Sequence, residues 1–177
     1  METKDYWIYE NKVIFKPNFK DKLDDYIDII SKCNELIFSN YDDCAIAIKT
    51  NNIYYEEYDE NYKLSKFNKS VIIPENVTHL TFGAFFEKHV IIPQNVTHLT
   101  FGDNFNKKVI IPENVTHLTF GCNFNKKVII PENVIHLTFG DNFNKSVIIS
   151  QNVTYLTFGY DFNKKVIIPD LLNFDNL

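Results

Sequence analysis

Residues 109–127 read VIIPENVTHLTFGCNFNKK, and this 19-residue unit begins, with few changes, at Val71, Val90, Val109, Val128 and Val147; a sixth copy starts at Val166 and breaks off after VIIP. All five glycines occupy one phase of the unit (Gly83, Gly102, Gly121, Gly140, Gly159). Five of the six prolines occupy another (Pro74, Pro93, Pro112, Pro131, Pro169), with Ser150 at that phase in the remaining copy. A unit this short cannot bury its own apolar face, so successive copies must stack into a solenoid.

Within one copy, Val96 to Phe101 alternates as a half-buried strand does: Leu99 and Phe101 face one side, His98 and Thr100 the other. Gly102 follows, and the expectation is a left-handed turn there. Asn104, Phe105 and Asn106 form a second corner, Val109–Ile110–Ile111 a second short strand, and Pro112 ends it by removing a donor. Stacking turns each phase into a row. Leu80, Leu99, Leu118, Leu137 and Leu156 form one; Phe82, Phe101, Phe120, Phe139 and Phe158 a second; Phe67, Phe86, Phe105, Phe124, Phe143 and Phe162 a third. Eleven of the 16 phenylalanines fall in the last two, so these should dominate cohesion. Asparagine rows (Asn76, Asn95, Asn114, Asn133, Asn152; and Asn68, Asn106, Asn125, Asn144, Asn163) are expected to satisfy corner backbone.

Net charge is −5, and all 18 basic residues are lysines. No basic excess suits a dedicated nucleic-acid binder, so nucleic acid is not an expected partner. No apolar run reaches the roughly 20 residues that span a bilayer, so no membrane is expected either. METKDYWIYENK has no signal-peptide core, and Cys33, Cys44 and Cys122 lack CxxC spacing. Free thiols, a reducing compartment and an intracellular, non-secreted protein are the expectation.

THLTFGDNFNKKVIIP (97–112) resembles the FNIP repeat, also called IP22, through Phe105–Asn106 with Ile111–Pro112, Phe124–Asn125 with Ile130–Pro131, and their equivalents. The resemblance covers about residues 64–177. It implies kinship with leucine-rich repeats, whose LxxLxLxxN pattern is met by Val96, Leu99, Phe101 and Asn104, and a viral or amoebal origin, with the host cytoplasm or the virion as location. The fold class expected is mainly β: an LRR-like β-solenoid of stacked coils with two short strands each. Residues 1–63 are expected to be an α/β capping region, and residues 64–177 the solenoid with a C-terminal cap at about 170–177. In the cap, a hairpin is expected over Tyr6–Tyr9 and Val13–Lys16, a helix over Phe19–Cys33 and a second hairpin over Ala45–Lys49 and Ile53–Tyr58. Cys33–Phe38 echoes VTHLTF as a degenerate coil. Leu171, Leu172, Phe174 and Leu177 are expected to cover the far end.

Two surfaces could bind. One is the outward strand face: His79, His98, His117, His136 and Tyr155 beside Thr81, Thr100, Thr119, Thr138 and Thr157. The other depends on parity in VII. Either Ile72, Ile91, Ile110, Ile129, Ile148 and Ile167 form an exposed stripe, as a homomeric or partner contact, or curvature tucks them inward; the reading leans to exposure. Stacked imidazoles should repel when protonated and titrate low. The parallel histidine row converges on no point, so no metal, cofactor or catalytic residue is assigned. The expected function is a non-enzymatic protein–protein interaction scaffold, its partner unidentified. Alternatives are a substrate-recognition subunit of a ubiquitin ligase, which the F-box of some family members suggests although residues 1–63 carry no LP opening, or a self-assembling structural protein.

Overall fold

The computed structural model describes residues 3–40 and 65–168. The second expected hairpin, the C-terminal cap, Cys44 and Pro169 lie outside the described residues. β1 (Tyr6–Tyr9) and β2 (Lys12–Phe15) pair as the expected antiparallel hairpin, with Glu10 at φ 53° in its turn. From β2 onward every pairing in the main sheet is parallel: β3 (Glu35–Phe38), β4 (His79–Thr81), β5 (His98–Thr100), β6 (His117–Phe120), β7 (His136–Phe139) and β9 (Tyr155–Thr157) follow in spatial order. Between β7 and β9 the chain passes through β8 (Val147–Ile148), which pairs with β10 (Val166–Ile167) in a separate two-stranded sheet. The molecule is a mainly β solenoid with an LRR-like parallel sheet along one side.

Registers match the period. His98 sits opposite His79 and His117, and Leu99 opposite Leu80 and Leu118. Each coil closes through two tight turns at fixed phases. In the third copy these are Val115 N–H to Pro112 O (3.2 Å) and Phe124 N–H to Gly121 O (3.3 Å). The VII segment is less sheet-like than expected. Among the described residues only β8 and β10 pair there, and Ile149 N–H extends that ladder to Ile167 O at 3.0 Å.

The core is a zigzag of phenylalanines. Phe120 and Phe124 lie 3.9 Å apart within one coil, and Phe120 is 5.4 Å from both Phe101 and Phe139 in the neighbouring coils, all near parallel. The same zigzag runs into the N-terminal segment. Phe15 stacks on Phe38 at 5.4 Å and Phe38 on Phe82 at 5.9 Å. Phe19, Phe67 and Phe86 form the companion row at 5.5 and 6.2 Å. β2 and β3 therefore each supply the strand of a coil, Phe15–Phe19 keeping the spacing of Phe82–Phe86, while residues 41–64 fall between Phe38 and Phe67.

Two expectations need correction. The helix over Phe19–Cys33 is only a 3-10 turn, Leu23–Tyr26, and one α-turn, Ile27–Ile30. Tyr26 leaves helical geometry (φ −118°, ψ 9°) with its ring edge-on to Tyr6, Phe15 and Phe19 at 5.2–5.8 Å. Packing against the hairpin has overridden helical periodicity. Second, no glycine among the described residues has positive φ. Glycine is required for closeness instead. A Cβ on Gly121 would lie 2.6 Å from the carbonyl carbon and oxygen of Gly102, backbone that cannot yield.

Gly121→Ala is therefore expected to lower stability by about 3 kcal/mol, although alanine is tolerated by an ordinary strand-end backbone. Phe120→Ala, which empties a site 1% exposed, should lose about 3–5 kcal/mol. Denaturant midpoints of both variants against wild type check this. Gly121→Ala as stable as wild type would contradict the close-approach account.

Candidate functional site: the histidine and threonine face

Strand alternation decides which side chains reach this face. In β6, Leu118 and Phe120 are buried and His117 and Thr119 half-buried on the opposite side, and β4, β5 and β7 repeat the pattern. The structure brings all five expected ring positions into one stack. Centroids of His79, His98, His117, His136 and Tyr155 follow one another at 4.1, 4.1, 4.2 and 4.2 Å, within 14° of parallel. Thr81, Thr100, Thr119, Thr138 and Thr157 form the adjacent row by the same registers.

The threonine before His79, His98 and His117 orients each ring. Thr97 Oγ1 gives its proton to the Thr78 carbonyl (3.2 Å) and lies 3.0 Å from His98 Nδ1. Thr78 and Thr116 repeat this, toward the Asn34 and Thr97 carbonyls and toward Nδ1 of His79 and His117 at 2.9 Å. Each hydroxyl thus lies within hydrogen-bond distance of both a carbonyl oxygen and a ring nitrogen, and this contact holds Nδ1 toward the backbone and leaves Nε2 at the outer edge of the ring. Ile135 takes that threonine's place before His136. Stacked in parallel, the ring nitrogens run alongside one another rather than toward a common centre. Among the described residues no three His, Cys, Asp or Glu side chains converge as a metal site.

His79, His98 and His117 titrate low, as the stacking suggested, but repulsion is the smaller cause. Burial in the stack lowers His98 first, His79, His117 and His136 add to it, and the result is about 4. His117 is lowered by burial and then by His136 and His79. His79 is lowered by burial and, more weakly, by Lys12, while Glu35 opposes the shift. At neutral pH the central rings are uncharged, which permits van der Waals contact between them.

Sequence reading missed three features. The ring row continues past His79 to Glu35 and Lys12, joined in an ion pair at 2.6 Å. The threonine row continues to Ile37 and Ile14, both buried, so the half-exposed face runs from β4 to β9. A further amide row links Asn104, Asn123 and Asn142 through Nδ2–H to Oδ1 bonds of 3.0 and 2.7 Å. The 19-residue period alone marks that last row, and the Phe-x-x-x-Phe spacing at Phe15 would have marked the first. The expected asparagine rows do bind backbone. Asn114 Nδ2 donates to Gln94 O at 2.8 Å, and Asn144 N–H donates to Asn125 Oδ1 at 3.1 Å. On the other side of the coil the isoleucines stand out: Ile72, Ile91, Ile110 and Ile129 are 80–88% exposed, Ile148 59% and Ile167 39%.

A ring that binds its proton near 4 when folded and near 6.5 when unfolded stabilises the native state above 6.5; that contribution is lost as pH falls toward 4 and is constant below it. The ring resonances of His98 should therefore titrate with a midpoint near 4 by NMR. The melting-temperature difference between wild type and His98→Gln should shrink as pH is lowered from 6.5 to 4. A His98 midpoint at or above 6.5 would refute the stacked, half-buried placement.

With the geometry established, the chain can be compared with known proteins. The FNIP Repeat family matches at residues 88–123 and 124–151. No curated protein matches the chain. Among solved structures it is similar to CroV588, a circular LRR protein, at 26% identity and a TM-score of 0.45, the match covering 92% of this chain and 32% of that one. The chain thus spans about a third of the length of that relative. No helix among the described residues is long and apolar enough to cross a membrane. Residues 88–151 are thus FNIP repeats.

Proposed function

We propose that this protein is a non-enzymatic protein–protein interaction scaffold, with the histidine and threonine face of β4–β9 as its working surface. One observation carries the reading: a flat row of stacked rings lies beside a row of hydroxyls, held in register by a backbone ladder. Such a face offers ring edges and hydrogen-bond acceptors at a fixed spacing. It suits a protein surface that supplies donors against a flat apolar background. Repetition argues against chemistry, because acid, base and nucleophile need different environments and each coil here repeats the last. In this reading residues 1–63 cap the solenoid and end its binding face. The free thiols Cys33 and Cys122 fit a reducing compartment.

The test is proximity labelling in the native cell with wild type and with His98→Ser/His117→Ser. Proteins labelled by the wild type should fall about tenfold or more with the variant, equivalent to about 1.4 kcal/mol, while thermal melts show that both remain folded. A control change at the far corner, Lys126→Ser, should leave labelling intact. Unchanged labelling by the double variant would remove this face from the function.

A further inference from the structure

The isoleucine stripe lies apart from the histidine face, and its flanks carry an arrangement of charge that selects an occupant. Around Ile110 and Ile129, the exposed Lys108 and Lys127 lie on one side and the exposed Glu113 and Glu132 on the other. Where the lysine phase is replaced, by His89 and Ser146, the acidic phase is replaced too, by Gln94 and Gln151. Only the first copy, Ser70 with Glu75, departs from that pairing. A bond within the chain does not account for it, since Lys12–Glu35 is the ion pair found among the described residues. Instead, stacking sets Lys108 over Lys127 and Glu113 over Glu132, like charge upon like.

We propose that the stripe is a homodimer interface in which two copies lie face to face with solenoid axes parallel and coils in register. Ile110 then meets the partner's Ile110, and Lys108 and Lys127 face the partner's Glu113 and the partner's Glu132. The symmetry is restrictive. An isologous face-to-face contact needs a twofold axis in the plane of the interface. An axis along the chain direction makes the two solenoids antiparallel and sets lysine edge against lysine edge. An axis along the solenoid exchanges the flanks, so each lysine edge meets an acidic edge. Attraction at both rims and matched neutral coils therefore choose the parallel arrangement. Six coils at roughly 4.8 Å give a stripe roughly 24 Å long. With its rims it would bury roughly 1,000 Å² in total, the lower bound for a specific contact, so a monomer–dimer equilibrium in the micromolar range is expected. The proposal does not depend on the partner of the histidine face, which stays open on both copies.

Sedimentation velocity on the full chain tests it, at concentrations up to about 1 mM and at low and high salt, with thermal melts as the control for folding. Wild type should dimerise, less so as salt rises, and Ile110→Lys should be monomeric. Lys108→Glu/Lys127→Glu and Glu113→Lys/Glu132→Lys should each weaken self-association about tenfold or more, and an equimolar mixture of the two should restore it. In an antiparallel dimer the rims already oppose like charges, so these reversals would change little; that result overturns the arrangement. A monomeric wild type, or a dimer indifferent to Ile110→Lys, overturns the interface.

Discussion

Parallel, in-register approach of one coil to the next is the constraint from which the rest follows. At the glycine corner the approach is so close that Gly121 meets the carbonyl of Gly102 with no room for a Cβ. Strand hydrogen bonds and the phenylalanine zigzag both need that approach. Once coils repeat in register, every side chain lies beside its own copy, and each phase must tolerate self-contact. Phenylalanine satisfies this by stacking, asparagine by linking Nδ2–H or backbone N–H to the neighbouring coil, and glycine by having nothing to clash. The phases that tolerate it least, lysine and glutamate, are relegated to exposed corners.

The histidine row shows how an ionisable group enters such a stack. Rings about 4.1 Å apart cannot all carry charge, and burial by neighbours keeps them neutral. The preceding threonines hold the rings of His79, His98 and His117 in one orientation through Nδ1. At its ends the row changes character, to the Lys12–Glu35 pair on one side and to Tyr155 on the other. Charge is admitted only where it has an opposite partner. The same rule, applied across the isoleucine stripe, points to a second copy of the chain.

Two faces thus divide the surface of the solenoid. One is a polar row of stacked rings beside hydroxyls; the other is an apolar stripe with charged rims. Both owe their flatness to the strict period, and neither is built from a loop that departs from it. A scaffold of this type gains contact area by adding coils rather than by elaborating a pocket.

Much of this was legible in the residues alone. The period set the solenoid, alternation in Val96–Phe101 set inside and outside, and recurrence at each phase set the phenylalanine, leucine and histidine rows. Those properties are local to the unit or follow from its repetition. The neighbouring coil decided the others: glycine for closeness rather than for positive φ, the orientation of the histidine rings, the truncation of the helix at Tyr26, and the coils hidden at Phe15–Phe19 and Phe38–Phe67. Each depends on distances between segments far apart in sequence or on how the corner backbones nest, and no single unit encodes that separation.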